Sequence, residues 1–470
     1  MQSQVRYTME SPKSLANYLE RIRDRPRDFR IVSRDIDPGN FEVTAILEHL
    51  DQRNEYPAVL FEHPRNMLGE PSAFPLLANL WATRERCAEM LELPPEKAGR
   101  ELGVAYSSLV DNRVAPIIVG HDAAPVQAHV YRGHDADMSM LPVVRHFEMD
   151  LGPVLTMAHV MHAPGETFYN VTFVKTFPEG GQRAGLTIHT AHLKRMMRAW
   201  EHRGERAPIV NILGHHPAFW LGSLAKTPYG NDEYTTIGSF LRQPLRLVPS
   251  VTWGDEFLVP ADAEIVIEGE LVPGERTVVD PFGEISRLYQ AQELAPTMEV
   301  KAITHRPGAM LQDVFSGHRE HFILGLIPLE GSIFNRLQES VGDVTAVHLP
   351  SSGNGRSTCY VSISKRDEGQ PKLTALQALA HVPGLQMVIV VDDDIDVFRE
   401  EDVLWAFNTY VDPERDIDYV RNVGPRSDRA MDNNHLLIDA TRPTHVAFPT
   451  RLRVPQKAMD AVRLEDWLEP

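Results

Sequence analysis

The sequence predicts a mixed α/β protein built from two or three domains. Three observations carry that expectation. The chain has 470 residues, too many for one ordinary hydrophobic core. Its middle is dense in short apolar runs of strand length, and its last third alternates strand-like and helix-like segments in the manner of a layered α/β unit.

The first hundred residues read as helices with one strand. "SLANYLERIRDR" repeats Leu15, Tyr18, Leu19 and Ile22 at helical spacing, whereas "YPAVLFEH" reads as a buried strand. From about residue 110 onward "VAPIIVG", "QAHVYRG", "VLTMAHVMHA" and "FYNVTFVKTF" read as strands. A helix then interrupts them: in "AHLKRMMRAWEHRG" the side chains of Leu193, Met196, Met197 and Trp200 share one face, and Gly204 is its expected stop. "AVHLP", "CYVSISK", "LTALQALAHV", "MVIVVDDDID" and "EDVLWAFNTYV" give the closing alternation, and "VPQKAMDAVRLEDWLEP" reads as a short amphipathic helix suited to docking on another subunit.

Composition narrows the function classes. Lys plus Arg is 47 against 65 Asp plus Glu, a net charge of −18, which repels a nucleic-acid backbone. The apolar runs are too short for a membrane helix, and the opening residues lack the apolar stretch of a secretory signal, so a cytoplasmic protein is expected. With only Cys87 and Cys359, neither a disulfide framework nor a cysteine zinc site is available.

Several stretches carry candidate chemistry. In "EIVIEGEL" strand alternation sets Glu264, Glu268 and Glu270 on one face and Ile265, Ile267 and Leu271 on the other. A solvated edge strand is the commoner origin of that pattern; the alternative is a metal or acid–base role, since hard cations take carboxylate oxygens. His192 opens the Met/Trp helix and is either a packing residue or a ligand beside free helix N–H groups. The doublet His215–His216 and the pair His318 and His321 raise a metal reading that twenty histidines make cheap by chance. "VVDDDID" suits Mg²⁺ or, more commonly, capping and loop solvation. "VVDPFGEISRLY" bends at a proline and a glycine between two carboxylates, Asp280 and Glu284.

In order and spacing, "FYNVTFVKTF", "GLTIHTAHLKRM", "ADAEIVIEGEL", "DPFGE", "VVDDDIDVFREEDVLWAFNTYVDPERD" and "LLIDATRP" together resemble the UbiD family of decarboxylases, some reversible, which use prenylated flavin mononucleotide. The resemblance runs from about residue 110 to the C-terminus. It implies an N-terminal α/β segment (1–110), a split β-barrel flavin-binding domain (111–310), a C-terminal α/β domain (311–440) and a C-terminal tail or helix (441–470) used in a homodimer or higher assembly. It also implies Mn²⁺ or Mg²⁺ bridging protein and flavin phosphate, K⁺ nearby, a small carboxylic acid substrate with CO₂, and a flavin prenyltransferase to supply the cofactor. The family's Asn, His and Glu ligands are placed at Asn170, His192 and Glu268.

The family's catalytic trio is an Arg five residues beyond the ligand Asn and two acids flanking the Pro-Phe-Gly turn. Here the Arg position holds Lys175, the first acid position holds Val279, the next position holds Asp280 in place of glycine, and the second acid is Glu284. Glu284 is thereby the expected proton donor, Lys175 the expected anchor of an acidic substrate, and Asp280 the candidate stand-in for the missing acid. Asn170 and Lys175 are five apart, so they can face one site only across a bulge or a strand end. Two alternatives remain: a UbiD-like flavin and metal protein with altered chemistry, and a flavin-free scaffold subunit.

Overall fold

The computed structural model describes residues 13–423 and 434–467. The first segment holds more strand than expected. Phe29–Ile36, Ala58–Pro64 and Leu76–Ala78 form a sheet, and Leu311–Gln312 completes it from far along the chain. Phe29–Ile36 escapes a sequence reading because it is an edge strand whose interior is mostly exposed, with charged residues alternating irregularly with Ile31 and Val32. Leu15–Ile22 is the expected helix, with Leu15, Tyr18, Leu19 and Ile22 buried and the Ser14 side chain capping its start.

The central domain is an eight-stranded sheet that curls into a half-barrel. The strand order is Asn170–Phe173, Ala158–Met161, Ala207–Ile212, Ile265–Val279, Glu293–His305, Arg183–Leu186 and Thr176–Pro178, with His129–Arg132 pairing beside Glu293–His305. Its two edges are consecutive in sequence: Asn170–Phe173 and Thr176–Pro178 are separated only by Val174 and Lys175. The strand therefore ends before Lys175. That break releases Lys175 from the alternation that would have faced it away from Asn170.

"EIVIEGEL" is not a solvated edge. It opens the long strand Ile265–Val279, paired on both sides, and Glu264 and Glu268 are 1% and 0% exposed. Alternation gave the relative facing of its residues correctly but carries no information about which face lies inside.

The helix Ala191–Arg203 buries Leu193, Met196 and Met197 against the sheet. Trp200 is half-buried and its indole N–H donates to the His162 carbonyl at 2.8 Å. Gly204 stops the helix in the left-handed region at φ +68°, a conformation costly for a residue with a Cβ.

The C-terminal domain is a five-stranded sheet in the order Val344–His348, Thr358–Ile363, Met387–Asp392, Asn434–Ala440 and Ile417–Arg421, parallel through its centre and antiparallel at both ends. The acids after "MVIVV" meet arginines: Arg442 pairs with Asp392 at 3.1 Å and Asp394 at 3.2 Å, and Arg453 also reaches Asp394. In the tail, Gln456–Ala461 is a short helix with no buried residue.

Candidate active site

The "DPFGE" corner is clamped on every side. The Asp150 carboxylate accepts N–H bonds from Gly283 at 3.2 Å, His146 at 3.0 Å and Phe147 at 2.8 Å. The Ser316 hydroxyl donates to the Gly283 carbonyl at 2.7 Å, and the Pro281 carbonyl accepts from Leu151 N–H at 3.0 Å. At Gly283 a Cβ would lie 2.4 Å from the Phe147 ring, so the close approach of ring and turn requires glycine. Beneath it His146 Nε2 meets Asp313 at 2.8 Å. Burial disfavours a charge on His146, and the Asp313 carboxylate outweighs it, raising the imidazole above its ordinary value.

This rigid turn aims three side chains differently. Val279 is wholly buried with Val154, Phe177, Phe282 and Ala295, pointing at the backbone of Gly185. Asp280, at φ +60°, is also fully buried, and neither of its carboxyl oxygens has a hydrogen-bond partner. Burial pushes its pKa up to about 6, partly opposed by the Lys175 ammonium. Glu284 forms an ion pair with Lys175, whose Nζ also sits 4.9 Å from the centre of the Phe282 ring. With the strand ended at Phe173, Lys175 reaches Glu284 beside the Phe282 ring.

Glu284 lines a cavity of about 200 Å³ together with Phe147, Arg287, Leu288, Tyr289 and Phe315. Lys175, Asp280 and Glu284 therefore converge, with Glu284 as the member that lines the cavity.

Of the three residues expected as metal ligands, Asn170 meets the carboxyl of Glu233, and Glu268 lies elsewhere. Glu268 lies on the strand row Val171, Val160, Val210, Glu268, three strand spacings or about 14 Å from Val171. Cross-strand partners share a face, so Glu268 faces the side opposite to Asn170. Its carboxylate is also taken up, by the Ser250 hydroxyl at 2.8 Å and the N–H groups of Val251 at 3.0 Å and Thr252 at 2.8 Å. Glu268 is a structural acid that ties down a turn.

Glu233 stands where Glu268 was expected. It opens the helix Glu233–Leu241, which docks its N-terminus on the free edge of Asn170–Phe173. Tyr169 N–H donates to the Asp232 side chain at 3.2 Å, Glu233 N–H to the Tyr169 carbonyl at 3.0 Å, and Val171 N–H to Glu233 Oε2 at 2.5 Å. Asn170 Nδ2 donates to Glu233 Oε1 at 2.8 Å, leaving Asn170 Oδ1 buried and unpartnered. Burial raises the Glu233 carboxyl to about 8. His192, half-buried, lies edge-on to Tyr229 at 5.4 Å, on the same loop whose Thr227 hydroxyl reaches Glu233 at 3.4 Å.

An orphaned amide oxygen beside a buried carboxyl lacking a counter-charge is what a divalent cation would satisfy, and two oxygens with one imidazole suit Mn²⁺ or Mg²⁺. Sequence reasoning missed Glu233 because "NDEY" reads as an ordinary helix start; its partner is 63 residues away. The remaining histidine doublet is structural. His215 and His216 are buried, His216 N–H donates to His215 Nδ1 at 2.8 Å, and burial lowers both rings, His215 to about 3.

Three family models match the chain: the 3-octaprenyl-4-hydroxybenzoate carboxy-lyase N-terminal domain over residues 21–106, its Rift-related domain over 117–319 and its C-terminal domain over 322–440. Gallate decarboxylase of Lactiplantibacillus plantarum is 27% identical, covering 94% of this chain and 92% of that protein. Anhydromevalonate phosphate decarboxylase of Methanothermobacter thermautotrophicus is 29% identical over 80% of this chain and 87% of that one. Among solved structures, the UbiD-class enzyme HmfF from Pelotomaculum thermopropionicum in complex with FMN shares 32% identity with a TM-score of 0.89, covering 97% of this chain and all of the other. An evolved dimeric form of HmfF in complex with prFMN gives 31% and 0.86 over the same shares. The chain belongs to the UbiD family of carboxy-lyases.

Proposed function

We propose that the protein is a prenylated-FMN-dependent, reversible decarboxylase of an aromatic, heteroaromatic or α,β-unsaturated carboxylic acid. The observation that carries this reading is the convergence of Lys175, Asp280 and Glu284 at a clamped turn, with Glu284 opening on a cavity. Loss of CO₂ from an sp² carbon leaves an unstabilised carbanion, and the flavin when bound supplies the electron sink. Asn170, His192 and Glu233 are the residues that would hold a Mn²⁺ or Mg²⁺, which would supply positive charge to the flavin phosphate.

The chain's own contribution is charge and proton placement. In the resting site Lys175 forms an ion pair with Glu284. An incoming carboxylate competes for the same ammonium. Glu284, released into a largely closed site with only 12% of its side chain exposed, then becomes a better proton donor because desolvation favours its neutral form. Asp280 is fully buried with a carboxyl already pushed up to about 6 by burial, close enough to feel the charges of both Lys175 and Glu284. Lys175 supplies a point charge where arginine would supply a planar fork, so it can move between Glu284 and substrate without a fixed two-pronged geometry.

The test is single-turnover CO₂ release from flavin-loaded protein offered a panel of aryl, heteroaryl and acrylic acids. Release with at least one acid, abolished in Lys175→Met, supports the reading. Bound modified flavin with no release from any acid would favour a flavin protein of altered chemistry, and absence of flavin would favour a scaffold subunit.

A further inference from the structure

On the far wall of the Glu284 cavity three other side chains meet. Glu48 and Asp51 lie three residues apart in the last turn of the helix Glu42–Asp51 and so share a face. His318 immediately precedes the helix Arg319–Ser340, from another part of the chain, and its side chain makes no capping bond. One ligand atom from each lies within 4.8 Å of the others.

His318 makes this more than a pair of surface acids. Its side chain is only 4% exposed, its ring is stacked on Phe315 at 4.5 Å, and both ring nitrogens are buried without a hydrogen-bond partner. A neutral imidazole carries one N–H and one lone pair, and leaving both unmatched in the interior is costly. Its Nε2 points at the acids, 4.0 Å from Glu48 Oε2 and 4.0 Å from Asp51 Oδ1. That spacing is too long for a hydrogen bond. It suits an ion between them, since ligands bound at about 2.0–2.2 Å stand about 3.0–4.3 Å apart, depending on the angle at the metal.

The acids meet neutral partners, not cations: Gln52 Nε2 donates to Glu48 Oε1 at 3.4 Å, and the Tyr56 hydroxyl hydrogen-bonds Asp51. The nearby guanidinium groups are otherwise engaged: Arg287 lies over the Phe322 ring at 5.0 Å, and Arg319 lies over Tyr56 at 4.1 Å and donates to the Ala82 carbonyl. Among the described residues no lysine or arginine forms an ion pair with Glu48 or Asp51.

We propose that Glu48, Asp51 and His318 form a second divalent-cation site, separate from Asn170 and Glu233. One imidazole with two carboxylates selects Mn²⁺, Fe²⁺ or Zn²⁺ over the purely oxygen-seeking Ca²⁺. Three protein ligands leave coordination positions open, and these face the cavity that Glu284 shares. On the decarboxylase reading, and resting on it, those positions would take oxygen donors at the far end of the substrate, such as a second carboxylate or adjacent hydroxyls. The ion would also tie the N-terminal segment to the central domain.

Mn²⁺ is the probe. Purified full-length, flavin-loaded protein is dialysed free of loose metal and titrated with MnCl₂, with free Mn²⁺ read by electron paramagnetic resonance and bound flavin by absorbance. The parent should take up one equivalent that Asp51→Asn and His318→Ala each bind at least tenfold more weakly, with flavin content unchanged and circular dichroism matching the parent. Asp51 is partly exposed, so its conservative variant guards against a folding defect at His318. Equal uptake by parent and both variants, or no uptake by the parent at this site, overturns the proposal. Because flavin is measured separately, a protein without flavin that still shows the Asp51- and His318-dependent equivalent would defeat the decarboxylase reading and leave the site standing.

Discussion

Glu233→Gln should separate the metal role of this side chain from its structural one. In the metal-free protein burial raises the Glu233 carboxyl from 4.5 to about 8, so between those pH values the folded state holds a proton that the unfolded state has released. Stability therefore falls as pH rises across that window. At about 1.4 kcal/mol per pH unit, the loss approaches about 5 kcal/mol by pH 8 as an upper bound. Glutamine carries no such penalty. Its amide would face Asn170, and a flip of the Asn170 amide would let the buried, unpartnered Oδ1 accept from the new N–H₂. The metal-free variant should thus melt at or above the parent at pH 8. Mn²⁺ should reverse the order. A metal present at a hundredfold excess over its Kd adds about 2.7 kcal/mol to the parent. The variant lacks the carboxylate charge and should gain only what the separate Glu48, Asp51 and His318 site supplies, less than the parent. The assay is a pair of melting curves at pH 8 with and without Mn²⁺. An equal Mn²⁺-dependent rise in both proteins would refute the ligand role of Glu233.

Three further outcomes follow from the same geometry. Glu268→Ala should strand the Ser250 hydroxyl and the Val251 N–H at about 1–3 kcal/mol each, lowering the melting temperature while leaving the flavin-to-protein ratio of the folded fraction unchanged. Glu284→Gln should cut turnover by about 10²–10⁴-fold with bound flavin spectra unaltered, since it keeps shape but cannot deliver a proton. Asp280→Asn should flatten the fall in stability that the parent shows between about pH 4 and pH 6, where burial keeps the folded carboxyl protonated; the comparison is a melting series across pH.

How much of this could be read from sequence depends on the range of the interaction involved. Periodicity located the helix Ala191–Arg203 and its buried Leu193, Met196 and Met197, because spacing along one element encodes its own face. The same logic set Glu264, Glu268 and Glu270 on one side of their strand, yet left open whether that side met water. The sheet resolved it by pairing the strand on both edges, which made Glu268 an internal anchor. Glu233 was out of reach because its tie to Asn170 spans 63 residues and runs through a helix docked on a sheet edge. Lys175 lay between these cases. Its distance from Asn170 demanded an irregularity, and the strand ending at Phe173 supplies it. The pairing of Glu284 with Lys175 follows from that break and from the Phe282 ring beside the ammonium, a contact between distant parts of the chain with no local signature.

The central claim is that this chain binds a prenylated flavin and uses Glu284 to protonate the carbon that loses CO₂. The most direct measurement is anaerobic co-expression with a flavin prenyltransferase, mass spectrometry of the released cofactor, and proton–deuterium exchange at the product carbon in D₂O. The account predicts prenylated FMN at about one per chain, exchange catalysed by the parent, and exchange abolished in Glu284→Gln with the cofactor retained. Unmodified FMN or no flavin, or undiminished exchange in Glu284→Gln, would contradict it.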